Sequence, residues 1–292
     1  MNERRIAILM ATYNGENYLK AQIDSIISQT YKDWTLYIQD DGSTDNTLAV
    51  IDSYTQQHSN IQFLGQTKGL GAKENFFSML QQVENPYYMF CDQDDVWFPN
   101  KIETEFIQMK LAEEKYTSNK PILVFSDLYV VDSQLNILFD SFFSYSGIYP
   151  EYLTTFDDAS ASNLVTGCTM LFNQAAKKAI QYPTTSATMH DVWITLCVLK
   201  AKGKLICISS PLVYYRQHVS NTLGATSISR LTLAYRFKNI KQNYRLNLRH
   251  YNMLKALGYG SWMKYIFYRL RYKIRVASRR IIFFSTANID TF

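Results

Sequence analysis

The sequence predicts an α/β fold, with a mostly parallel central sheet, helices on both faces of that sheet, and a basic helical segment at the C-terminal end. Two observations predict this architecture. Through the first half of the chain, short apolar runs alternate with segments of helical periodicity, a pattern typical of parallel sheets covered on both faces. Beyond about residue 224, acidic residues almost disappear while lysine and arginine continue. The basic segment is therefore an appendage to an α/β body.

The composition is that of a folded protein. Hydrophobic residues make up 47% of the 292 residues and charged residues 19%, which excludes a disordered chain. The four cysteines are scattered in apolar runs, so we expect buried thiols, no disulfide or zinc site, and a cytoplasmic protein. The apolar run at residues 6–11 is too short for a secretory leader. No segment has the roughly 18 apolar residues of a membrane span.

The first half of the chain supplies the parallel strands and their helices. Helical spacing of Leu19, Ile23 and Ile26 predicts the first helix, and Ser43 or Thr44 is a candidate N-cap of the second. The apolar runs predict strands at residues 5–10, 34–39, 61–64 and 87–91. The helices are predicted at residues 16–29, 44–56 and 72–83.

The alternation becomes less regular after Asp92. Residues 140–165 are irregular, as a surface loop region would be. The strands predicted in this part of the chain are residues 122–131, 137–139, 168–172, 205–208 and 212–215. The helices predicted here are residues 99–115 and 192–199.

Polar clusters follow three of the predicted strands, at the point where each strand ends. In open parallel sheets, ligands bind at the carboxyl ends of the strands. Three such clusters at one edge are difficult to explain by stability alone. They are Thr12-Tyr13-Asn14-Gly15-Glu16, Asp40-Asp41-Gly42-Ser43 and Asp92-Gln93-Asp94-Asp95.

The third cluster carries three carboxylates within four residues. Such groups repel one another unless a cation or strong hydrogen bonds hold them, and a solvated acidic turn is the alternative. Oxygen ligands of this kind suit Mg²⁺ or Mn²⁺, which keep open positions for phosphate oxygens. A divalent ion that bridges a diphosphate stabilises it as a leaving group.

The other candidate residues are less specific when taken alone. The second cluster is equally consistent with a turn and with a ligand site, in which Asp40 would accept from a pyrimidine N–H or a ribose hydroxyl. Asp191 precedes an apolar helix, which favours a helix cap over a general base. His218 by itself is more typical of a structural loop histidine than of a ligand.

In their order along the chain, these motifs resemble glycosyltransferase family 2, and the string Asp-Gln-Asp-Asp-Val-Trp is typical of its bacterial rhamnosyltransferase-like branch. The similarity spans roughly residues 4–224. It implies the GT-A fold, with a Rossmann-like sheet, a nucleotide-diphosphate sugar donor, and Mg²⁺ or Mn²⁺ as cofactor. The motifs that continue it are Val165-Thr166-Gly167-Cys168-Thr169, Met189-His190-Asp191-Val192-Trp193 and Tyr215-Arg216-Gln217-His218.

The resemblance also implies a role for each matching residue. Asp94 would be the main metal ligand, His218 would contact the metal or the diphosphate, and Asp191 would be the catalytic base. Cys168 stands where relatives often carry a second glycine, a departure that bears on acceptor shape. The residues that would bind the donor are Thr12, Tyr13, Glu16, Asp40, Lys73, Asn75 and Asp92.

The implied organisation has three parts. Residues 1–100 would form the nucleotide-sugar-binding half, residues 101–225 the acceptor-binding and catalytic half, and residues 226–292 a basic amphipathic helical tail. The expected reaction is inverting transfer of L-rhamnose from dTDP-L-rhamnose to a hydroxyl of a lipid-linked cell-surface polysaccharide intermediate. The alternatives are a UDP-hexose donor, a non-catalytic sugar-nucleotide-binding scaffold, and a nucleotidyltransferase, whose Gly-rich, Lys-bearing phosphate loop is missing after the first strand.

Charge separates the tail from the body. Residues 1–229 hold 16 Lys/Arg against 24 Asp/Glu, whereas residues 230–292 hold 14 Lys/Arg against one Asp. We expect two tail helices, broken at Gly258-Tyr259-Gly260, that lie on an anionic membrane surface at the inner face of the cell membrane. A helix packed on the body is an alternative, and no nucleic-acid partner is expected. The apolar stripe of the second helix is Met263, Ile266, Phe267, Leu270, Ile274, Ala277 and Ile281.

Overall fold

The computed structural model describes residues 6–162, 165–182, 184–218 and 240–287. The predicted boundary at residues 225 and 226 lies outside these ranges, as do residues 226–239 of the predicted helical tail. The strands are β1 (Ile6–Thr12), β2 (Trp34–Asp40), β3 (Ile61–Gln66), β4 (Tyr87–Asp92), β5 (Val96–Trp97), β6 (Ile122–Val131), β7 (Ile137–Phe139), β8 (Met170–Asn173) and β9 (Lys204–Arg216). The helices are α1 (Leu19–Ile27), α2 (Thr47–Gln57), α3 (Gly71–Gln82), α4 (Lys101–Tyr116), α5 (Phe142–Ser146), α6 (Phe156–Ala159), α7 (Gln174–Lys178), α8 (His190–Lys200), α9 (Ile240–Ala256) and α10 (Trp262–Ala287).

These strands form one sheet with the order β3-β2-β1-β4-β8-β6-β9-β5, and β7 pairs with β6. The pairs among β1, β2, β3 and β4 are parallel, as predicted. β8 is antiparallel to both β4 and β6, and β9 is parallel to β6. β8 is therefore a single reversed strand inserted between long strands that share one direction, and the sheet is mixed beyond β4.

The predicted elements are found within three residues of their expected ends, apart from the last two strands of the body. Those two, residues 205–208 and 212–215, are one strand, β9, whose pairing with β6 shifts register around Asp127. The helix expected from residue 44 begins at Thr47, with Asn46 as its N-cap residue. Ser43 and Thr44 lie before that position and do not cap the helix, and the Ser43 hydroxyl instead donates to Asp40, 2.5 Å away, and accepts from the backbone N–H of Asn14 at 2.8 Å.

Alternate residues of β1 point to opposite faces of the sheet, as the pleat requires. Ala7 and Leu9 belong to a buried cluster with α3 and α8, and Ile6 and Ile8 belong to a second one with α1 and α4. Helices thus cover both faces, as predicted. The register aligns Thr12 with Asp40 and Ala11 with Asp92, so the three polar clusters meet at one edge.

The tail helices pack on the body through one side only. Met253, Leu254 and Leu257 at the end of α9, and Tyr265 of α10, are fully buried in the cluster that contains α3 and α8. Gly258 ends α9 with a φ of 77°, a left-handed conformation that favours glycine. No helix in the described part of the chain is long and apolar enough to span a bilayer.

The cysteines are free thiols, and three of the four are buried as expected. Cys207 is exposed, contrary to that expectation. It lies in the first part of β9, where β6 pairs on one side only, because β5 reaches β9 only at Val213 and Tyr214.

A buried ion pair lies between α4 and the sheet. Lys101 Nζ is 2.9 Å from Glu105 Oε1, and both side chains are fully buried. Ser126 of β6 donates to the same carboxylate at 3.2 Å, and the ammonium lies 4.3 Å from the ring centroid of Trp97. The pair is thus satisfied by partners from α4, β5 and β6.

Replacing Lys101 should be strongly destabilising, because it leaves the Glu105 charge buried without a partner. We expect Lys101→Met to lower the free energy of unfolding by about 3–5 kcal/mol. The matched control is Lys20→Met, which removes a solvent-exposed pair with Asp24 and should change the free energy of unfolding little. Urea denaturation measures both, and equal small losses would contradict the prediction.

Candidate active site

Asp40, at the end of β2, is fully buried and organises the first two polar clusters. Its carboxylate accepts five hydrogen bonds, from Thr12 Oγ1, Gly42 N, Ser43 N, Ser43 Oγ and Gln66 Nε2. Burial raises the pKa of Asp40, but hydrogen bonds from Ser43, Gln66 and Thr12 outweigh burial and hold the pKa below its ordinary value. The sequence predicted contact between Asp40 and a base. In this structure the oxygens of Asp40 accept hydrogen bonds from other groups of the protein. The contact of Asp40 with a base stays a prediction.

The loop after β1 is tied to the acidic turn by Gln93. The backbone of Tyr13 donates to Gln93 Oε1 and accepts from Gln93 Nε2, both at 2.9 Å. A side chain at Gly15 would place its Cβ only 2.3 Å from Gln93 Oε1, so this approach requires glycine. The Tyr13 ring is 57% exposed and offers an open face to a ligand. Glu16, by contrast, accepts from the backbone and side chain of Asn46.

Asp41 fixes the loop that leads into α3. Its carboxylate accepts hydrogen bonds from Thr67 Oγ1, Leu70 N and Gly71 N at 2.7–2.8 Å. Lys73 and Asn75, both predicted to contact the sugar-nucleotide donor, follow this loop in the sequence. Lys73 Nζ lies 2.8 Å from Glu74 and donates to the Ala187 carbonyl at 3.1 Å.

Asn75 lies beside the end of β2. Its side chain is fully buried beneath α3, where its amide donates to the carbonyl of Gln39 at 3.3 Å. The Oδ1 atom of this side chain is buried without a hydrogen-bond partner, and the contact of Asn75 with the donor stays a prediction.

The acidic turn divides into an inner and an outer part. Asp95 is fully buried, and its Oδ1 accepts from Arg216 N at 3.1 Å. Asp94 is partly exposed, and its Oδ2 lies 2.7 Å from His218 Nε2. Arg216 Nε donates to the Asp94 carbonyl at 2.7 Å. The two residues predicted to meet the metal are thus held together by the end of β9.

An aromatic side chain completes this arrangement. The Tyr18 ring stacks on His218, with centroids 4.6 Å apart, and the Arg216 guanidinium lies 4.8 Å from the Tyr18 centroid. The sequence prediction assigned no role to Tyr18, Arg216 or Gln93. Arg216 and Gln93 lie inside motifs that were recognised, and the tyrosine was hidden in a segment predicted as helix.

The oxygens at this edge suit a divalent cation. One ligand atom each from Asp92, Asp95 and Cys168 lies within 4.8 Å of the others, and Asp95 Oδ2 is buried without a hydrogen-bond partner. Burial and the charges of Asp94 and Asp191 raise the pKa of Asp92 to about 7. Burial also raises the pKa of the Cys168 thiol well above its ordinary value, so this sulfur is a poor ligand for a hard ion. The carboxylates of Asp92 and Asp94 fit Mg²⁺ or Mn²⁺.

Asp191 lies in the first turn of α8, one residue inside the helix, whose N-cap residue is Met189. Its Oδ1 accepts from the backbone N–H of Val192 at 2.6 Å. Burial raises the pKa of Asp191 to about 6, although hydrogen bonds from the backbone of Val192 and Gly167 act in the opposite direction. The residue is therefore not the N-cap, and its acidity is close to what a general base needs near neutral pH.

His190, which precedes Asp191 in the chain, is buried. Its ring lies 4.2 Å from Phe76 and 4.9 Å from Phe90, between centroids, and neither ring nitrogen has a hydrogen-bond partner. Burial lowers the pKa of His190 to about 3, so the ring is neutral. A Cβ at Gly167 would lie 2.6 Å from His190 Nε2.

Residues 7–178 match the sequence model described as Glycosyl transferase family 2. The chain belongs to this family. This chain is 30% identical over 225 residues to the dTDP-rhamnosyl transferase RfbG of Shigella flexneri, and the match covers 74% of each chain. It is 25% identical over 225 residues to the putative teichuronic acid biosynthesis glycosyltransferase TuaG of Bacillus subtilis, covering 75% of this chain and 81% of TuaG.

Solved structures share the GT-A fold of this glycosyltransferase. S. aureus TarS 1–349 in complex with UDP matches with a TM-score of 0.54 at 18% identity, over 73% of this chain and 60% of that one. The mannosyltransferase PcManGT from Pyrobaculum calidifontis, in complex with GDP-Man and Mn²⁺, matches with a TM-score of 0.57 at 15% identity, over 93% and 69%. The predicted family and fold are confirmed, and the roles of single residues stay predictions.

Gly167 should tolerate no side chain, because the His190 ring is confined by two phenylalanines. We expect Gly167→Ala to lower the free energy of unfolding by about 1–3 kcal/mol, as overpacking does. Gly260→Ala is the control, since its Cβ would meet only the flexible end of Lys264, at 3.3 Å. Removing the ring as well, in Gly167→Ala/His190→Ala, should relieve the clash. Thermal or urea unfolding measures all three, and an unchanged Gly167→Ala variant would show that the ring can move.

Proposed function

We propose that this glycosyltransferase is an inverting, metal-dependent enzyme with Asp191 as its catalytic base. The observation that carries the proposal is that the backbone of Gly167 hydrogen-bonds to Asp191, while the next residue, Cys168, has its sulfur within 4.8 Å of carboxylate oxygens of Asp92 and Asp95, so the base candidate and the acidic turn share one site. Single displacement at an anomeric carbon needs one carboxylate that accepts the acceptor proton as the new bond forms. Retention through a covalent intermediate would need a second one as nucleophile.

The chain's own residues would divide the work as follows. The loops of Thr12, Tyr13 and Asp40 would hold the nucleotide at the carboxyl edge of the sheet. The backbone N–H groups of Val192 and Gly167 would orient the Asp191 carboxylate, which would accept the proton of the acceptor hydroxyl. Asp92, Asp94 and His218 would hold Mg²⁺ or Mn²⁺, which when bound offsets the charge of a diphosphate leaving group. The ring of His190 is neutral and therefore adds no positive charge next to the catalytic base.

The donor that we propose is dTDP-L-rhamnose, supported by the 30% identity to a protein named as a dTDP-rhamnosyl transferase. A UDP-hexose is the second candidate, favoured by a relative named as a UDP-Glc-dependent glucosyltransferase and 30% identical over 109 residues. Nucleotide release from purified enzyme with dTDP-rhamnose, UDP-glucose, UDP-galactose and UDP-N-acetylglucosamine decides between them. Binding without release by any of them would favour a non-catalytic scaffold.

The acceptor that we propose is a hydroxyl of a lipid-linked polysaccharide intermediate at the inner face of the cell membrane. The same glucosyltransferase relative, WfgD of Escherichia coli, is named for an acceptor on diphosphoundecaprenol. TuaG is named as a putative glycosyltransferase of teichuronic acid biosynthesis. A peripheral position on the membrane would place such an acceptor within reach of the protein.

Asp191→Asn should separate donor binding from turnover, because the amide keeps the shape but cannot accept a proton. We expect kcat to fall by about 10²-fold or more with donor affinity little changed. In the unaltered enzyme kcat should fall with decreasing pH through about 6, since protonation removes the base and burial raises the Asp191 pKa to about 6. A cation bound nearby would move this midpoint lower. Asp52→Asn, on the exposed side of α2, is the control, and normal turnover by Asp191→Asn would reassign the base.

Turnover should require a divalent metal, and the Tyr18 stack should tune that requirement. Excess EDTA and Asp94→Asn should each abolish turnover, because EDTA removes the cation that compensates the acidic turn and Asp94→Asn removes its main ligand. Tyr18→Ala should raise the Mn²⁺ concentration at half-maximal rate severalfold by freeing His218, whereas Tyr18→Phe keeps the stacked ring and should match the unaltered enzyme. Full activity in EDTA would refute the metal requirement.

A further inference from the structure

The second tail helix, α10, presents an apolar ridge to solvent. We define the outer ridge as Met263, Phe267, Leu270 and Ile274, whose side chains are 53–80% exposed. They recur at helical spacing on the side of α10 opposite to Tyr265, which is fully buried against the body. The predicted stripe thus exists, and it faces away from the catalytic body. Ile281, also predicted in the stripe, has a side chain outside the described ones.

The inner side of α10 is committed to one short segment of the body. Lys264 pairs with Asp157 at 2.7 Å, Arg271 pairs with Asp158 at 2.9 Å, and Arg279 pairs with Glu151. The Tyr272 hydroxyl also accepts from Tyr149 N at 3.2 Å and lies 3.3 Å from the Gly147 carbonyl. These contacts fix the rotation of the helix about its axis, so the ridge cannot turn inward without breaking them.

We propose that the outer ridge inserts into the interfacial region of an anionic lipid bilayer; this inference rests on the proposed lipid-linked acceptor and names the surface that meets its membrane. The charge of the two tail helices indicates which kind of partner the outer ridge contacts. Residues 240–287 contain 11 Lys/Arg and no Asp/Glu. A second copy of the chain would bring two such cationic faces together, which is unfavourable, whereas anionic headgroups complement them. Four exposed apolar side chains supply the part that enters the acyl boundary.

The structure also changes what kind of binding to expect. Lys264, Arg271 and Arg279 are already paired with carboxylates of the body, so they contribute less to lipid attraction than the net charge of the tail implies. Insertion of apolar side chains is not screened by salt, whereas attraction between exposed charges is. Binding should therefore need anionic lipid to form and should persist in part at high salt.

Because the same helix holds residues 147–158, docking would bring that segment close to the lipid surface. The segment lies in the stretch between β7 and β8 that the sequence predicted to be irregular. A lipid-linked acceptor would thus contact the body beside α10, the helix that anchors the protein on the membrane. Docking on a bilayer needs no motion of the chain, because the outer ridge is already exposed.

The test uses the full chain and sedimentation with vesicles of phosphatidylglycerol and phosphatidylcholine, without donor or acceptor. The ridge variant is Phe267→Ser/Leu270→Ser/Ile274→Ser, and we expect its partition coefficient to fall at least tenfold. The matched control is Ile107→Ser/Leu111→Ser, which removes side chains of α4 that are 51% and 52% exposed, and it should bind as the unaltered chain does. Reversing the charge of Arg271 is a poorer test, because it would break the pair with Asp158.

Three further measurements keep the test decisive. Equal unfolding midpoints and equal nucleotide release for the ridge variant and the control would show that folding and the catalytic site are intact, so failure to bind lipid and failure of the proposed chemistry are separated. Bound protein that persists at about 0.5 M NaCl supports insertion, and complete release there overturns it. Unchanged vesicle binding by the ridge variant also overturns the proposal, as would a dimer in analytical ultracentrifugation that this variant abolishes without any lipid binding by the unaltered chain.

Discussion

Mutual repulsion of carboxylates is the constraint on which this site depends. The carboxyl edge of the sheet gathers Asp40, Asp41, Asp92, Asp94 and Asp95, and the molecule treats them in two ways. Asp40 and Asp41 are saturated by donors from their own turn and from the neighbouring strands and loops. These two carboxylates therefore hold in place the loops that border the site.

The acidic turn is treated differently. Asp95 is buried with one oxygen on the backbone of Arg216, and burial together with Asp94 and Asp92 raises its pKa well above the ordinary value. Asp92 and Asp94 remain at the edge, where a cation can compensate them. The strand ends that specify the fold thus also concentrate the charge that the proposed chemistry uses.

Local pattern was sufficient to predict the parallel half of the sheet, the helices on its two faces and the edge at which the motifs meet. It could not predict which motif residues would be consumed by internal hydrogen bonds. Asn75 is adjacent to exposed loop residues in sequence, yet the packing of α3 buries it. Gln93 and Tyr13 are 80 residues apart, and Asp94 and His218 are 124 apart. Such partnerships arise only when the sheet brings distant strand ends together.

The tail shows the same limit in another form. Periodicity identified an apolar stripe on the second helix, but an amphipathic pattern does not say which side meets the body. Tyrosine and basic side chains took the inner side because the body offers carboxylates and carbonyls that satisfy them. The outer ridge was left exposed to solvent.

The way Asp41 closes the start of α3 has a further consequence for phosphate recognition. Many α/β proteins place a phosphate on the free N–H groups and the positive end of a helix dipole. Here the N–H groups of Leu70 and Gly71 already donate to a carboxylate of the chain itself. A pyrophosphate that approaches this edge would find that helix terminus neutralised from within, and its negative charge would have to be met by a mobile counterion instead of by the backbone.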